Sequence, residues 1–170
     1  MHLHPTAQKK LADLLLEEAK SCQVVVSSHS PYLLQTLVKF GRTNVFSSTT
    51  TGKIEVEQQD GRTGLFPWSP SFGEVNFKAF AMPTVEFHNE LYGYLQAKHN
   101  LARSDDVDDF LLAKGIPRGH TWVHAGTGKS HTVSECTYVR HCIHHPENMS
   151  NATYTEAKLD ASIRKLIGAL

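Results

Sequence analysis

Gln23-Val24-Val25-Val26-Ser27-Ser28 is the stretch that most restricts what this chain can fold into. A short β-branched run without polar alternation is typical of a strand buried on both faces, so residues 22–28 predict a strand inside a layered sheet. Ser30-Pro31 ends it. Upstream, Pro5 suits the first turn of a helix, where its missing N–H is not needed. Ala7, Leu11, Leu14, Leu15 and Ala19 then repeat at helical spacing. Downstream, residues 32–38 predict a short helix, and 43–48 and 53–58 are candidate strands. In the second of these, Ile54 and Val56 alternate with Glu55 and Glu57, as in a strand with one wet face. Thr51-Gly52 would turn between the two. Residues 1–66 therefore predict an α/β region.

A break follows. Pro67, Pro70 and Gly73, set among Trp68 and Phe72, predict an ordered connector over 67–82. Residues 83–170 predict an all-α domain. Phe87, Leu91, Tyr94 and Leu95 would line one face of a helix running from Pro83 towards Asn100. Ser104 followed by Asp105, Asp106, Asp108 and Asp109 marks a helix start, with acid at the positive end of the dipole, and Gly115 can cap the far end. Thr132 and Glu135 form a T-x-x-E capping box before a helix carrying Val139 and Ile143. A second box, Thr153 to Glu156, precedes an apolar stripe of Leu159, Ile163, Leu166 and Leu170.

Composition narrows the class without choosing a function. The chain has 170 residues, 40% hydrophobic and 20% charged, as in a globular protein of one or two domains. Lys plus Arg and Asp plus Glu are 17 each, so no global field draws it to nucleic acid or membrane. No apolar run approaches a membrane span, and the first residues lack the basic and apolar parts of a signal peptide. The three cysteines (Cys22, Cys136, Cys142) have no metal-binding spacing and fit a reducing cytoplasm. The N-x-S/T triplets at Asn148 and Asn151 carry no weight there.

His2-Leu3-His4-Pro5, a Leu-rich helix, and a strand ending in Ser28-His29-Ser30-Pro31 together resemble the last third of an ABC-type ATPase head, of the overcoming-lysogenization-defect and SMC-like kind within the AAA family. The resemblance assigns His4-Pro5 to the D-loop region, which contacts a partner subunit, and His29 to the switch histidine that senses the γ-phosphate. A histidine at the C-terminal end of a parallel strand does face the ligand crevice, and imidazole can donate to a phosphate oxygen. The plainer alternative is an ordinary βα unit in which His29 caps a helix. The family's Walker A loop, signature motif, Walker B aspartate and catalytic glutamate would lie upstream of Met1. The resemblance thus implies an incomplete lobe that holds no cofactor alone, with ATP and Mg²⁺ bound in a full-length relative. Gly126-Thr127-Gly128-Lys129-Ser130 imitates a P-loop, but the first glycine of that motif would fall at Val123. It reads as a Gly-rich turn.

Arg140-His141-Cys142-Ile143-His144-His145-Pro146 is the other concentrated feature. It resembles the R-x4-H motif of HEPN domains, helical bundles that often act as metal-independent ribonucleases in bacterial toxin and anti-phage systems. Arg140 and His145 match the ends of the motif, and His141 matches its polar second position. Such domains follow ABC-type ATPases in other proteins, a fold-level analogy. The chemistry is self-consistent: RNA is cut when its 2′-OH attacks the adjacent phosphate, a histidine can move the proton, and a planar guanidinium can hold the phosphorane. Positions 140 and 145 lie about 140° apart on an ideal helix, whereas Arg140 and His144 align better. A site assembled across a homodimer, as the family uses, could accommodate that. Glu90 or His88 on the earlier helix are candidates to complete it. Three bland readings compete. His141 and His145 have a metal-binding i, i+4 spacing, but H-E-x-x-H would need Glu where Cys142 stands. Arg140 could simply pair with a carboxylate inside the bundle. Residues 101–170 carry eight basic and eight acidic side chains, so no RNA-attracting or DNA-attracting patch is visible.

Together these features predict an incomplete ABC-type lobe followed by a HEPN-like effector domain, in a cytoplasmic anti-phage or toxin protein acting on RNA. The alternative is a non-enzymatic dimerisation or partner-binding module.

Overall fold

A computed structural model describes residues 4–40, 42–48, 52–60 and 64–170. They form two compact units, Met1–Ala81 and Met82–Leu170. His2 and Leu3 of the opening motif and Thr51 of the expected turn lie outside the described residues.

In the first unit, helix α1 (Pro5–Glu18) starts with Pro5 at its first turn, and His4 caps it by accepting from the Thr6 N–H at 3.4 Å. Ala12 is its most buried residue, and Leu14, expected on the covered face, is exposed. Helix α2 (Pro31–Leu37) is capped by Ser30, whose Oγ accepts from the Leu33 N–H and donates to Gln8 of α1. The buried strand expected over 22–28 does not form. That segment has no sheet partner, and Val25 is 86% exposed. A strand needs a neighbour for its N–H and C=O groups and a layer over each face. Neither lies beside this one among the described residues.

Strands β1 (Arg42–Ser48) and β2 (Ile54–Asp60) pair antiparallel, with Phe46 opposite Val56 and Ser48 opposite Ile54. The two candidate strands thus form, but the apolar side that the alternation marks for cover is open: Phe46, Ile54 and Val56 are exposed. Helix α3 (Phe72–Phe80) arises inside the expected connector. Its Glu74 carboxylate is buried and accepts from Leu65 N–H at 3.1 Å and Ser69 Oγ at 2.6 Å, while Lys78 pairs with it at 2.8 Å. Those bonds fold the 64–71 loop onto the helix.

The second unit contains α4 (Val85–His99), α5 (Ser104–Ala113), β3 (Arg118–Val123), β4 (Ser130–Ser134), α6 (Glu135–His144) and α7 (Glu156–Ala169). Phe87, Leu91, Tyr92 and Leu95 of α4, Val107 and Leu111 of α5, Val139 of α6, and Ile163 and Leu166 of α7 are fully buried. Tyr92 takes the place expected for Tyr94, because its hydroxyl finds Thr137 Oγ1 at 3.1 Å. Asn100 closes α4 in the left-handed region (φ 55°), and Gly115 (φ 84°) follows α5 as expected.

The domain is not all-α. Strands β3 and β4 form an antiparallel hairpin, with Trp122 opposite His131 and His120 opposite Val133. The P-loop imitation is the turn of this hairpin: His124 N–H donates to Lys129 O, Gly128 N–H donates to His124 O (both 2.8 Å), and Gly128 has φ 65°. Both expected capping boxes are displaced. Thr132 belongs to β4 and Ser134 caps α6, while Thr155 rather than Thr153 caps α7. In each case the hydroxyl that accepts from the N–H three residues on is the one next to the helix. No helix among the described residues is long and apolar enough to cross a membrane.

Candidate functional site

Four basic side chains occupy the end of α6 and the residue that caps it, in two neighbouring i, i+4 rows. Arg140 and His144 form one, and His141 and His145 form the other.

The first row faces α4. Arg140 Nη1 donates to Asn89 Oδ1 at 3.3 Å and lies 2.7 Å from His144 Nε2, which accepts when the ring is neutral. Its guanidinium covers the Tyr92 ring at 4.7 Å from the centroid. Arg140 has no ion pair with a carboxylate among the described residues, so the bland reading of it as a bundle tie through Asp or Glu does not hold. Of the two candidates to complete the site, His88 is fully buried and bonded to Ser162, and the contact to Arg140 comes from the next residue, Asn89, rather than from Glu90.

The second row faces the hairpin. His141 and His145 lie 5.0 Å and 6.3 Å from the Trp122 ring and 6.2 Å from each other. His145, the residue after the helix, has Nδ1 3.4 Å from Glu147 Oε1. Donation of Nδ1–H to that carboxylate leaves Nε2 for proton transfer.

Electrostatics separate His141 and His144 from solution histidine. Burial, then His145 and Arg140, hold His141 below the usual imidazole range, against an opposing pull from Asp108 and Asp105. Burial, Arg140 and His145 do the same to His144. Arg140 and His145 act on both, so the two rows form one electrostatic cluster although the motif's end residues point to different neighbours.

The site's support was not foreseen. Asp108 lies inside the domain rather than on a helix-start rim. Its Oδ1 accepts from Ser134 N–H at 3.2 Å and Thr137 Oγ1 at 2.6 Å, fixing the junction of β4 and α6. Asn148 and Asn151, the asparagines of the N-x-S/T triplets, clamp β3. Both donate to Val123 O at 2.9 Å, and Asn151 Oδ1 accepts from Val123 N–H at 2.8 Å. The signal for the hairpin was the alternation His120, Trp122, His124 answered by His131 and Val133.

Among the described residues, no group of three or more His, Cys, Asp or Glu is arranged to hold a metal ion. His4 Nδ1 already accepts from Thr6 N–H, and His29 is exposed just ahead of the α2 cap. The glycine turn at 126–130 joins two strands instead of leading a strand into a helix.

Residues 1–35 match the family model described as "AAA domain, putative AbiEii toxin, Type IV TA system". This supports an AAA-type ATPase segment at that end of the chain. No curated protein and no solved structure matches.

Proposed function

We propose that the second unit cleaves RNA without a metal, at the C-terminal end of α6, as the effector part of an AAA-type defence or toxin–antitoxin protein. The observation that carries this reading is the cluster itself. A half-buried guanidinium, a histidine held neutral and a histidine tied to a carboxylate meet on one helix end.

Each has a task in 2′-OH attack on the adjacent phosphate. Neutral His141 accepts the 2′-hydroxyl proton as P–O bond formation begins. His145, oriented by Glu147, delivers a proton to the departing 5′-oxygen. Arg140 has donors beyond those facing Asn89 and His144, and these stabilise the charge on the phosphorane. His144 keeps the Arg140 fork in place. Products are a 2′,3′-cyclic phosphate and a free 5′-hydroxyl. A second copy of the chain, bringing its own α6 end, would complete the site as a homodimer.

For the first unit, the extended Val24–Val26 run and the open side of the β1–β2 hairpin favour assembly into a larger sheet. ATP and Mg²⁺ would be ligands of that completed ATPase lobe, with His29 at its phosphate edge and His4 near the subunit contact. The same open surface also favours the runner-up, a non-enzymatic module that binds a partner protein.

Incubation of RNA with wild type, Arg140→Ala and His145→Ala separates the two. The expected result is a loss of about 100-fold or more in each variant. Equal cleavage by all three, or none by wild type, leaves the interaction reading.

A further inference from the structure

We propose that the cleft between the β3–β4 hairpin, the start of α5 and the end of α6 is a guanine subsite, receiving the base of the nucleotide beside the scissile phosphate. The substrate identity rests on the RNA-cleaving reading above; the chemistry of the cleft stands apart from it.

The cleft has a volume of about 420 Å³ and borders the His141–His145 row. That is enough for one nucleoside. Part of its wall is flat and unsaturated: His124 and His131 on the hairpin line the cleft with Trp122, whose indole is largely covered by Tyr138 and His141. Stacking against a base therefore falls to the exposed imidazoles, which serve as aromatic platforms when neutral. Their placement is built in. His124 is held by Thr127 Oγ1 at 3.3 Å from its Nδ1 and by the turn bonds to its carbonyl, and Asn148 and Asn151 lock the strand behind it.

Asp105, in the first turn of α5, lines the same cleft. Its carboxylate is exposed and makes no hydrogen bond or ion pair among the described residues, whereas neighbouring Asp106 and Asp109 bond to Arg103 and Arg118. Glu147, the other carboxylate of the cleft, is engaged by His145. An ionised carboxylate is acceptor-only, with two oxygens side by side. Guanine presents two adjacent donors, N1–H and N2–H, that match such a pair. Adenine and cytosine present only an exocyclic amine there beside an acceptor, and uracil a single N–H flanked by carbonyls. A carboxylate without a hydrogen-bond donor among the described residues, lining a cleft of one-nucleoside size together with aromatic rings, thus selects guanine.

The test is calorimetry of the full chain with guanosine, adenosine, cytidine and uridine 3′-monophosphates, repeated on Asp105→Asn and His131→Ala. Wild type should bind the guanosine nucleotide about tenfold or more tightly than the others, the effect expected of charge-assisted hydrogen bonds. Asp105→Asn should erase the preference, and His131→Ala should weaken all four alike. Asp105 is exposed, so its variant should melt like wild type. Equal affinity for the four nucleotides, no binding, or a preference that survives Asp105→Asn overturns the proposal. Mapping cut sites in mixed-sequence RNA separates the two readings. Cleavage without a guanine preference removes the subsite and spares the nuclease. Guanosine-selective binding without cleavage does the reverse.

Discussion

His88 has a fully buried imidazole with Nε2 2.8 Å from Ser162 Oγ and Nδ1 without a partner. Burial, reinforced by the charge of Arg140 and by His144, pushes it down to about 4 from an ordinary 6.5. The folded chain therefore keeps this ring neutral where the unfolded chain protonates it. The unfolded state binds the extra proton between those two values, so the stability linked to His88 is complete above pH 6.5 and is lost as pH falls towards 4. The loss amounts to about 3 kcal/mol. Urea unfolding of wild type and His88→Leu at pH 7.5, 5.5 and 4.5 measures it. The wild-type decline should be steeper than the variant's by about that amount, and parallel declines would show that the ring is not held neutral. Replacing Arg140 by Ala should make the decline shallower, because one cause of the depressed value disappears. Asp108 is a residue-scale counterpart: one oxygen serves Ser134 and Thr137, and the other is buried without a partner.

The β3–β4 hairpin has too few strands to be stable alone. It is held by the packing of Trp122 and Val133 against Tyr138 of α6 and by side-chain bonding from the 146–151 loop, including the two bonds between Asn151 and the Val123 backbone. Asn151→Ala should lower stability by about 1–2 kcal/mol, since it leaves a part-buried peptide group unpaired. It should also speed amide exchange at Val123 more than at Leu91 in α4; equal acceleration at both sites would refute the local clamp. Elements of this kind set the limit of what the sequence makes legible. Long amphipathic helices were readable because Phe87, Leu91 and Leu95, or Leu159, Ile163 and Leu166, repeat without interruption. The hairpin was not, because its alternating face is written in histidine and tryptophan, which carry little weight as apolar markers, and its turn imitates a phosphate loop. The Arg140–His145 stretch was legible as a concentration of basic side chains, but its division into two rows depends on Asn89, Tyr92, Trp122 and Glu147. Of these only Glu147 is near it in the chain. The run at Val24–Val26 was misread for the opposite reason: its pattern is correct for a covered strand, and cover is a property of neighbours rather than of the run.

At the scale of the whole chain, the two units differ in how completely they bury their own apolar side chains. The second has fully covered side chains in all four helices, joined by polar ties such as Asp108 to Ser134 and Thr137 and Tyr92 to Thr137. In the first, Ala12 is fully covered and Leu33, Val38, Phe66, Val75 and Phe77 are buried, but Leu14, Val25, Phe40, Phe46, Ile54 and Val56 are exposed. Fully burying one large aliphatic or aromatic side chain contributes about 1.5–3 kcal/mol, so several left open are a large fraction of a domain's net stability. Residues 82–170 expressed alone should therefore unfold cooperatively in urea, with fluorescence and circular dichroism giving one midpoint. The same polypeptide should retain the His88-linked decline below pH 6.5. Residues 1–81 alone should bind a hydrophobic dye strongly and melt without a sharp transition, and Val25→Lys should reduce the dye signal while leaving helix content unchanged. A broad, probe-dependent transition for 82–170, or a sharp and dye-silent one for 1–81, would contradict this division of stability. Either result would also weigh against the larger sheet proposed for the first unit.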